Sequence, residues 1–272
     1  MCIASISRSG IVHVSCSNNI PAPDGRGRQQ GVASIPTDRT IHLFLDFDGT
    51  ITVEDTGDRM FQTFGSFEPV HTQLLNGEFS VREYYDRSVS LLREHDPAQI
   101  KAWAMTMAVD PGFTSLMSWC QTQRITPHIV SDGFDIYINT ILQREGITDV
   151  DVHCNRLTSD DGRLEAVYPG ATESCSCFCA SCKRNSIINV LGEHDIAVYV
   201  GDGRSDQCAA EHCDVIFAKR HLAAWCTQER IPHHPFRTLH DVQRILATKL
   251  VSGELRPRRQ AVLARQRAVI NE

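Results

Sequence analysis

The sequence predicts an α/β fold with a parallel sheet and a small helical cap inserted after the first strand. Short apolar runs alternate with stretches of helical periodicity, a pattern typical of parallel sheets with right-handed crossovers. Several of these runs end directly at turns rich in Asp, Gly or Ser. The chain has 272 residues, of which 42% are hydrophobic, and this is enough apolar material for one sizeable core.

Apolar runs and turn residues indicate the order of the elements. The predicted strands are 41–45, 127–130, 150–154, 196–200 and 215–218. The predicted helices include 81–92, 113–124, 134–145 and 183–191, and a polar hairpin is expected around 159–162. The strand runs are short and bounded by turn residues, which favours strands that are buried on both faces.

Four kinds of segment are predicted along the chain. Residues 1–39 contain many Ser, Gly, Asn and Pro without a sustained period, which indicates a flexible extension. The α/β core is expected at 40–54 and 111–250. The block 55–110 between them is longer than a single crossover helix needs, so it is predicted to form the cap. Residues 251–272 form a basic tail, expected to be a solvated helix or a frayed end.

Charge and hydropathy exclude several classes of protein. With 27 Lys and Arg against 33 Asp and Glu, the formal net charge is −6, so the chain lacks the basic field that a general nucleic-acid binder needs. No stretch approaches the roughly 18 uncharged apolar residues of a membrane-spanning helix. Residues 1–9 show no long apolar stretch with a cleavage site, so no signal peptide is predicted and a cytoplasmic location is expected.

The strongest chemical signal is the segment Asp46-Phe-Asp48-Gly49-Thr50, which directly follows the first predicted strand. At a strand end, one of two neighbouring carboxylates can face a substrate while the other lies beside it. Such a pair suits covalent phosphoryl transfer, in which one carboxylate attacks phosphorus and the other moves a proton. Gly49 and Thr50 would let the backbone turn tightly and present N–H groups.

Two phosphate-binding groups are predicted further along the chain. Ser131 follows the second strand and offers a hydroxyl together with the backbone N–H groups of Asp132 and Gly133. Lys183 begins a predicted helix, where its ammonium group could offset phosphate charge.

A metal-binding group follows the fourth predicted strand. Asp202 and Asp206 supply hard oxygen ligands suited to Mg²⁺. Parallel sheets bind ligands at the carboxyl ends of their strands, so these residues and the preceding groups are expected to meet at one edge of the sheet.

The order of these motifs resembles the haloacid dehalogenase superfamily of phosphatases, in the phosphoserine-phosphatase-like branch whose helical cap lies between the first two motifs. The resemblance spans about residues 41–218 and implies a Rossmann-like core. It also implies that Asp46 is the nucleophile and Asp48 the general acid and base. The implied phosphate-binding residues are Thr50, Ser131, Asp132, Gly133 and Lys183, and the implied Mg²⁺ ligands are Asp46, Asp202, the main-chain carbonyl of Asp48 and, directly or through water, Asp206.

Two further stretches narrow this resemblance. The cysteines before Lys183 and the stretch 215–240 look like the phosphatases of methionine salvage that act on 2-hydroxy-3-keto-5-methylthiopentenyl 1-phosphate. Phosphoethanolamine and phosphocholine phosphatases also carry Cys before this Lys, so the cysteines alone do not decide between these groups of phosphatases. Phosphoserine, phosphoethanolamine and phosphocholine are the alternative substrates. Asp132, Gly203 and Arg204 depart from the family's motifs, which bears on the substrate and not on the reaction class. A non-catalytic binding module on the same fold is the alternative of a different class.

The cysteine content leaves three alternatives open. The chain has 11 Cys, of which Cys175, Cys177, Cys179 and Cys182 lie just before Lys183. Four thiolates could hold a structural Zn²⁺, although zinc ligands usually come from two separated turns. A disulfide and reduced thiols are the other two interpretations. In each case the cluster would restrain the loop that carries Lys183.

Charged residues of the predicted cap are candidates for contact with the non-phosphate end of the substrate. They are Glu54, Asp58, Arg59, Arg82 and Arg87. Each of them is also typical of solvated surface. Acids would suit a cationic head group and Arg would suit a carboxylate, so this mixture does not decide the substrate.

Overall fold

The computed structural model describes residues 39–65, 67–92, 96–160, 163–171 and 179–270, together with strands β1 (Ala4–Ile6) and β2 (Val12–Val14). β1 and β2 pair antiparallel and belong to a compact unit of their own, residues 1–32. The remainder of the predicted extension lies outside the described residues, apart from residue 39. All elements below belong to the second unit, residues 33–272.

A seven-stranded sheet forms the centre of the second unit. Its strands are β3 (Ile41–Leu45), β4 (Ile125–Phe134), β5 (Asp151–Asp160), β6 (Arg163–Val167), β7 (Ile196–Gly201), β8 (Val215–Ala218) and β9 (His234–Pro235). The spatial order is β6-β5-β4-β3-β7-β8-β9, and every neighbouring pair is parallel except the β5–β6 hairpin. The predicted α/β fold with a parallel sheet is therefore confirmed.

Helices connect the strands and include the predicted cap. They are α1 (Thr56–Phe64), α2 (Val70–Leu75), α3 (Val81–Ser90), α4 (Pro97–Ala104), α5 (Phe113–Gln123), α6 (Asp135–Arg144), α7 (Lys183–Val190), α8 (Gln207–Glu211), α9 (Arg220–Gln228), α10 (Leu239–Ser252) and α11 (Arg259–Ile270). The first four follow β3 and form the cap. The sequence specifies two of their starts: Ser80 and Glu83 form a capping box at α3, and Asp96 caps α4 ahead of Pro97. Among the described residues, no helix is both long and apolar enough to cross a membrane.

Alternate strand residues enter two separate hydrophobic cores. In β3, Leu43 and Leu45 belong to the larger core, whereas Phe44 belongs to the smaller one on the other face of the sheet. β7 repeats the pattern, with Val198 in the larger core and Tyr199 in the smaller one. Since successive strand side chains point to opposite faces, helices on both faces bury these strands completely. The ends of β3 and β7 are therefore held in fixed positions.

β4 extends further than the sequence predicts. The predicted strand 127–130 ends before Ser131, whereas β4 continues to Phe134, and its register with β5 shifts between Val130 and Phe134. Pairing of Phe134 with Asn155 keeps this segment in the sheet. Residues 131–134 are consequently all buried beside the end of β3.

The basic tail is ordered against the core, which corrects the expectation of a solvated or frayed segment. The side chain of Asp214 is fully buried, and it lies 3.2 Å from Arg265 of α11. Its Oδ1 accepts a hydrogen bond from the backbone N–H of Arg258, and its Oδ2 accepts one from that of Ala197 in β7. A single buried carboxylate thus joins α11 to the sheet, a contact that charge patterning along the chain could not predict.

Asp214→Ala is expected to lower the free energy of unfolding by about 3 kcal/mol, because the substitution removes the carboxylate partner of the partly buried Arg265 and leaves two backbone donors without their acceptor. Urea unfolding measures this change. The control is Glu254→Ala, which removes an exposed carboxylate 3.4 Å from Lys249 and should change stability by no more than about 0.5 kcal/mol. Equal effects of the two substitutions would contradict the role of Asp214.

Two histidines are buried together inside the sheet. His42 of β3 and His128 of β4 approach to 3.0 Å between Nδ1 and Nε2, and the other ring nitrogen of His42 lies 3.2 Å from Asp195. Burial and the neighbouring His42 lower the pKa of His128 to about 4, from the ordinary 6.5. Folded His128 therefore remains neutral over a pH range in which unfolded His128 takes up a proton.

Stability is expected to decrease as the pH falls from 6.5 to about 4, because in this range His128 binds a proton in the unfolded chain only. The linked cost approaches about 3 kcal/mol at the acid end. Urea unfolding across this range should give a smaller decrease for His128→Gln than for the wild type. His194→Gln, at an exposed histidine, should keep the wild-type pH dependence. If the stability of His128→Gln decreased with pH as much as that of the wild type, His128 would not be the source of the pH dependence.

Candidate active site

The carboxyl ends of three neighbouring strands bring the predicted site residues together. Leu45, the last residue of β3, lies opposite Ile129 of β4 on one side and Val200 of β7 on the other. The backbone N–H of Asp46 donates to the Val200 carbonyl at 2.9 Å. Since the three strands are in register, Asp46, Ser131 and Asp202 emerge at the same edge of the sheet.

A cluster of buried carboxylates lies at this edge. Asp46, Asp202 and Asp206 each place one carboxylate oxygen within 4.8 Å of those of the other two residues. Lys183, at the start of α7, places its Nζ 2.6 Å from Asp46 Oδ1 and 2.6 Å from Asp206 Oδ1. The predicted Lys183 and the predicted carboxylates therefore form one ionic network.

The charges in this network depend on one another. Burial alone would lower the pKa of Lys183, but Asp206 and Asp46 together raise it well above its usual value. Burial and Asp206 raise the pKa of Asp46, while Lys183 opposes this rise. The ammonium group of Lys183 thus stays charged although the side chain is 3% exposed.

Asp206 is fully occupied by hydrogen bonds within the protein. Its Oδ1 accepts from Lys183 and from the Tyr199 hydroxyl, and its Oδ2 accepts from the backbone N–H groups of Asp202 and Gly203 at 2.8 Å each. A side chain at Gly201 would place its Cβ 2.5 Å from Asp206 Oδ2, so this position requires glycine. Asp206 orders the loop that carries Asp202 and fixes Lys183.

Asp48 has different surroundings from Asp46. Its Oδ1 accepts from the backbone N–H groups of Thr56 and Gly57, in the first turn of α1. Its Oδ2 accepts from the Tyr137 hydroxyl at 2.8 Å and from Ser131 Oγ at 3.3 Å. Burial raises the pKa of Asp48 to about 7, although these hydrogen bonds oppose the rise. A carboxyl group with this pKa can both give and accept a proton near neutrality.

Gly133 permits this arrangement because a side chain there would overlap other atoms. An added Cβ would collide with the Tyr137 hydroxyl and with Asp48 Oδ2. Its backbone N–H donates to Ser131 Oγ at 2.9 Å. The sequence motif 131–133 therefore shapes the space around Asp48 and orients the Ser131 hydroxyl.

The side chains of Thr50 and Asp132 make contacts within the protein, and the phosphate contacts expected at these two residues stay predictions. Thr50 is fully buried, and its hydroxyl lies 3.3 Å from Asp202 Oδ1. The Asp132 carboxylate accepts hydrogen bonds from the backbone N–H groups of Ala180 and Ser181. Both side chains are thus used to hold neighbouring parts of the site.

Sequence reasoning missed Tyr137 and Arg220. Tyr137 lies in the first turn of α6, four residues after Gly133, so its closeness to the motif in the sequence was the available signal. Arg220 has a positive φ of 49° and binds Asp202 Oδ2 at 2.9 Å and the Val53 carbonyl at 3.1 Å. No spacing rule connects Arg220 to Asp202, because β8 separates them.

The donor set of the carboxylate cluster fits Mg²⁺. Asp46 and Asp202 provide hard oxygen ligands, and Mg²⁺ prefers such oxygens in small numbers together with water. Among the His, Cys, Asp and Glu side chains of the described residues, those of Asp46, Asp202 and Asp206 could together hold one metal ion. Cys175 and Cys177 of the predicted zinc site lie outside the described residues, whereas Cys179 and Cys182 lie within them.

A cavity of about 520 Å³ extends from the carboxylates to the cap. Its cap wall is formed by Asp55, Gly57, Asp58, His71, Leu74, Leu75, Val81, Tyr84 and Tyr85. Of the candidate cap charges, Asp58 lines the cavity, and burial raises its pKa to about 6. Arg82 and Arg87 lie over the rings of Tyr168 and Phe79, and Arg59 pairs with Glu54.

Comparisons with known proteins agree with this geometry. Residues 41–244 match the family described as Putative Phosphatase. The chain is 31% identical over 212 residues to a 2-hydroxy-3-keto-5-methylthiopentenyl-1-phosphate phosphatase of Brevibacillus brevis, and the match covers 76% of this chain and 96% of that protein. It is 28% identical over 233 residues to a polyol phosphate phosphatase of Saccharomyces cerevisiae, covering 78% of this chain and 97% of the yeast protein.

Solved structures show the same fold. A substrate-bound phosphoserine phosphatase superposes with a TM-score of 0.59 at 20% identity, covering 77% of this chain and 99% of that chain. A phospho-aspartyl intermediate analogue of phosphoserine phosphatase gives a TM-score of 0.58 at 20% identity, with coverage of 76% and 99%. The predicted fold is therefore confirmed. This chain belongs to the Putative Phosphatase family.

Proposed function

We propose that this protein hydrolyses a small-molecule phosphate monoester through an aspartyl-phosphate intermediate on Asp46. The observation that carries the proposal is the contrast between two carboxylates at the end of β3. Asp46 is ion-paired with the buried ammonium group of Lys183, whereas Asp48 receives neutral hydrogen bonds and has its pKa raised to about 7. Two carboxyl groups with such different surroundings suit the roles of nucleophile and proton donor.

The reaction has two steps. In the first, an Asp46 carboxylate oxygen attacks phosphorus, the bond between phosphorus and the ester oxygen breaks, and Asp48 gives its proton to that oxygen. In the second, Asp48 takes a proton from the attacking water, the bond between phosphorus and Asp46 breaks, and inorganic phosphate leaves. Ser131 and Lys183 would bind the phosphoryl oxygens, since both groups lie next to the two carboxylates.

The carboxylate cluster would hold Mg²⁺ through Asp46, Asp202 and the main-chain carbonyl of Asp48. When bound, the ion supplies positive charge that favours the ionised form of Asp46 and offsets the charge of the phosphoryl group. Because the oxygens of Asp206 already accept four hydrogen bonds, its part is to hold Lys183 and the loop of Asp202, with any contact to the ion made through water.

The proposed substrate is 2-hydroxy-3-keto-5-methylthiopentenyl 1-phosphate. The name of the Brevibacillus relative supports it, and so does the cap wall of the cavity. Leu74, Val81 and Tyr85 offer apolar surface for an uncharged tail. The described residues of that wall include no Lys or Arg that would bind the carboxylate of phosphoserine. Asp55 and Asp58 would suit an ammonium group, so phosphoethanolamine and phosphocholine are the second candidates.

Three further expectations from the sequence remain predictions. These are a cytoplasmic location, the lack of a nucleic-acid partner and a structural Zn²⁺ at Cys175, Cys177, Cys179 and Cys182. Elemental analysis of the purified protein tests the last of them. Zinc at one ion per chain that is lost in Cys175→Ser would support it, whereas protein without zinc would exclude it.

Asp46→Asn is expected to reduce turnover of phosphate esters by roughly 10³-fold or more, because the amide cannot attack phosphorus. Phosphate release from a panel of the four candidate esters measures this, with Mg²⁺ or with EDTA. Chelation should abolish wild-type turnover. Asp241→Asn, at a partly exposed carboxylate paired with Arg244, is the control and should keep wild-type rates.

The same panel decides between the alternatives. The ester with the highest kcat/KM identifies the substrate, and a preference for a head-group phosphate would replace the methionine-salvage assignment. Full activity of Asp46→Asn would exclude the aspartyl-phosphate route. Folded wild-type protein without turnover on any ester would favour a binding module on this fold.

Tyr137→Phe is expected to lower kcat by roughly tenfold with little change in KM, because Asp48 loses the hydrogen bond that orients it. The control is Tyr168→Phe, which removes a similar hydrogen bond from a tyrosine to the carboxylate of Asp86, at 2.7 Å and away from the site. Steady-state kinetics should show a wild-type kcat for the control. A higher KM at unchanged kcat in Tyr137→Phe would mean that this hydroxyl binds substrate instead.

A further inference from the structure

The proposed mechanism leaves the side chain of Asp132 without a role. Asp132 follows Ser131 directly and is 7% exposed. Its Oδ1 accepts hydrogen bonds from the backbone N–H groups of Ala180 at 2.9 Å and Ser181 at 3.0 Å, and its Oδ2 lies 3.1 Å from the Ala180 nitrogen. One buried carboxylate from β4 thus binds two successive amides just before Lys183.

Asn155 makes a second link between the same two segments. Its side-chain NH₂ donates to the Asp132 carbonyl at 2.7 Å and lies 3.3 Å from Asp132 Oδ1. Its carbonyl oxygen accepts from the Ser181 hydroxyl at 2.5 Å. Asn155 is fully buried, so each polar atom of its amide has a partner within the protein. The β5 strand therefore supports the contact between Asp132 and Ser181.

The next residue is held as well. The backbone N–H of Cys182 donates to the Gly170 carbonyl at 2.8 Å. Residues 180, 181 and 182 therefore each have a fixed backbone N–H, and Lys183 begins α7 immediately afterwards. Backbone hydrogen bonds at three successive positions leave the start of α7 little freedom to shift.

Lys183 requires such support more than most site residues. Its Nζ must reach two carboxylates at 2.6 Å from the end of a flexible four-carbon side chain. A shift of the backbone at its base would move the ammonium group away from the phosphoryl oxygens that it would bind, and misplacements of about 1 Å can cost about 10²-fold in rate. Neither Ser131 nor Asp206 can correct such a shift, since neither binds the backbone of residues 180–183.

We propose that Asp132 is a positioning residue that fixes the base of Lys183, and through it the phosphate-binding charge, by binding the amides of Ala180 and Ser181. This proposal rests on the proposed function, because it assigns phosphate binding to Lys183. It also accounts for the acidic residue that departs from the family's second motif. Asp132 also lines the cavity, but both of its carboxylate oxygens contact the backbone of residues 180 and 181.

The test compares Asp132→Asn with Asp135→Asn. Asn has the shape of Asp and keeps one acceptor oxygen, but it lacks the negative charge that strengthens both hydrogen bonds. Its NH₂ group, in the place of Oδ2, would also direct a donor at the Ala180 N–H, whose nitrogen lies 3.1 Å away. Asp135 is a matched control, since its carboxylate also accepts from a backbone N–H, that of Leu157 at 2.9 Å, without touching residues 180–183. Ser181→Ala is a milder variant that removes the hydrogen bond to Asn155. Three quantities are measured for each: kcat and KM, the affinity for inorganic phosphate with Mg²⁺ by calorimetry, and the melting temperature.

Asp132→Asn is expected to lower kcat/KM at least tenfold and to weaken phosphate binding by a similar factor, with the order of preference among the ester substrates unchanged. Ser181→Ala should weaken phosphate binding about threefold, in line with one lost hydrogen bond. Asp135→Asn should stay within twofold of the wild type in both quantities. A general structural role would instead lower the melting temperatures of both Asn variants and leave the phosphate affinity of the folded protein unchanged.

Three outcomes would overturn the proposal. The first is wild-type phosphate affinity in folded Asp132→Asn. The second is an altered order of substrates at unchanged phosphate affinity, which would make Asp132 a substrate contact. The third concerns the case in which Asp132→Asn does not fold. In that case, wild-type phosphate affinity in Ser181→Ala would overturn the proposal. Failure of the proposed function looks different, because the wild type itself would then neither bind phosphate nor turn over any ester.

Discussion

The ion pairs of Lys183 with Asp46 and Asp206 are the interaction on which the site depends. A buried ammonium group is costly unless carboxylates compensate its charge, and each buried carboxylate here needs a cation or hydrogen bonds in turn. The sheet provides these partners at fixed positions, because β3 and β7 are buried on both faces. The loop after β7 is then ordered around Asp206, and Asp202 joins the cluster. Stability and chemistry at this edge therefore use the same contacts.

Sequence reasoning succeeded where function depends on position in a strand. Asp46 and Ser131 follow apolar runs directly and Asp202 follows one after Gly201, and the register of a parallel sheet brings such residues to one edge. The cap was likewise predictable, because the chain between β3 and α5 is too long for a single crossover. Helix starts such as Ser80 and Asp96 were specified locally by their capping residues. Local chemistry and the topology of the fold together were sufficient for these features.

Sequence reasoning failed for contacts between side chains that lie far apart in the sequence. Arg220 contacts Asp202 from beyond β8, and Asp214 binds Arg265 at a separation of 51 residues. Neither pair has a periodic pattern that reveals it. The roles of Thr50 and Asp132 were also hidden, because the sequence shows that a polar side chain is near the site but not which neighbour it binds. Burial decides this: a polar side chain enclosed by protein uses its hydrogen bonds on protein atoms.

The attachment of Asp48 to α1 has a consequence for motion. Asp48, the proposed acid–base residue, accepts hydrogen bonds from the first turn of the cap, through Thr56 and Gly57. A hinge that opened the cap at this turn would withdraw two donors from the carboxylate and change its proton affinity. Opening without such a change requires the first turn of α1 to remain with the core while the later cap helices move. For a cap that opens in this second way, the mechanical boundary lies beyond Gly57, even though the helix itself begins at Thr56.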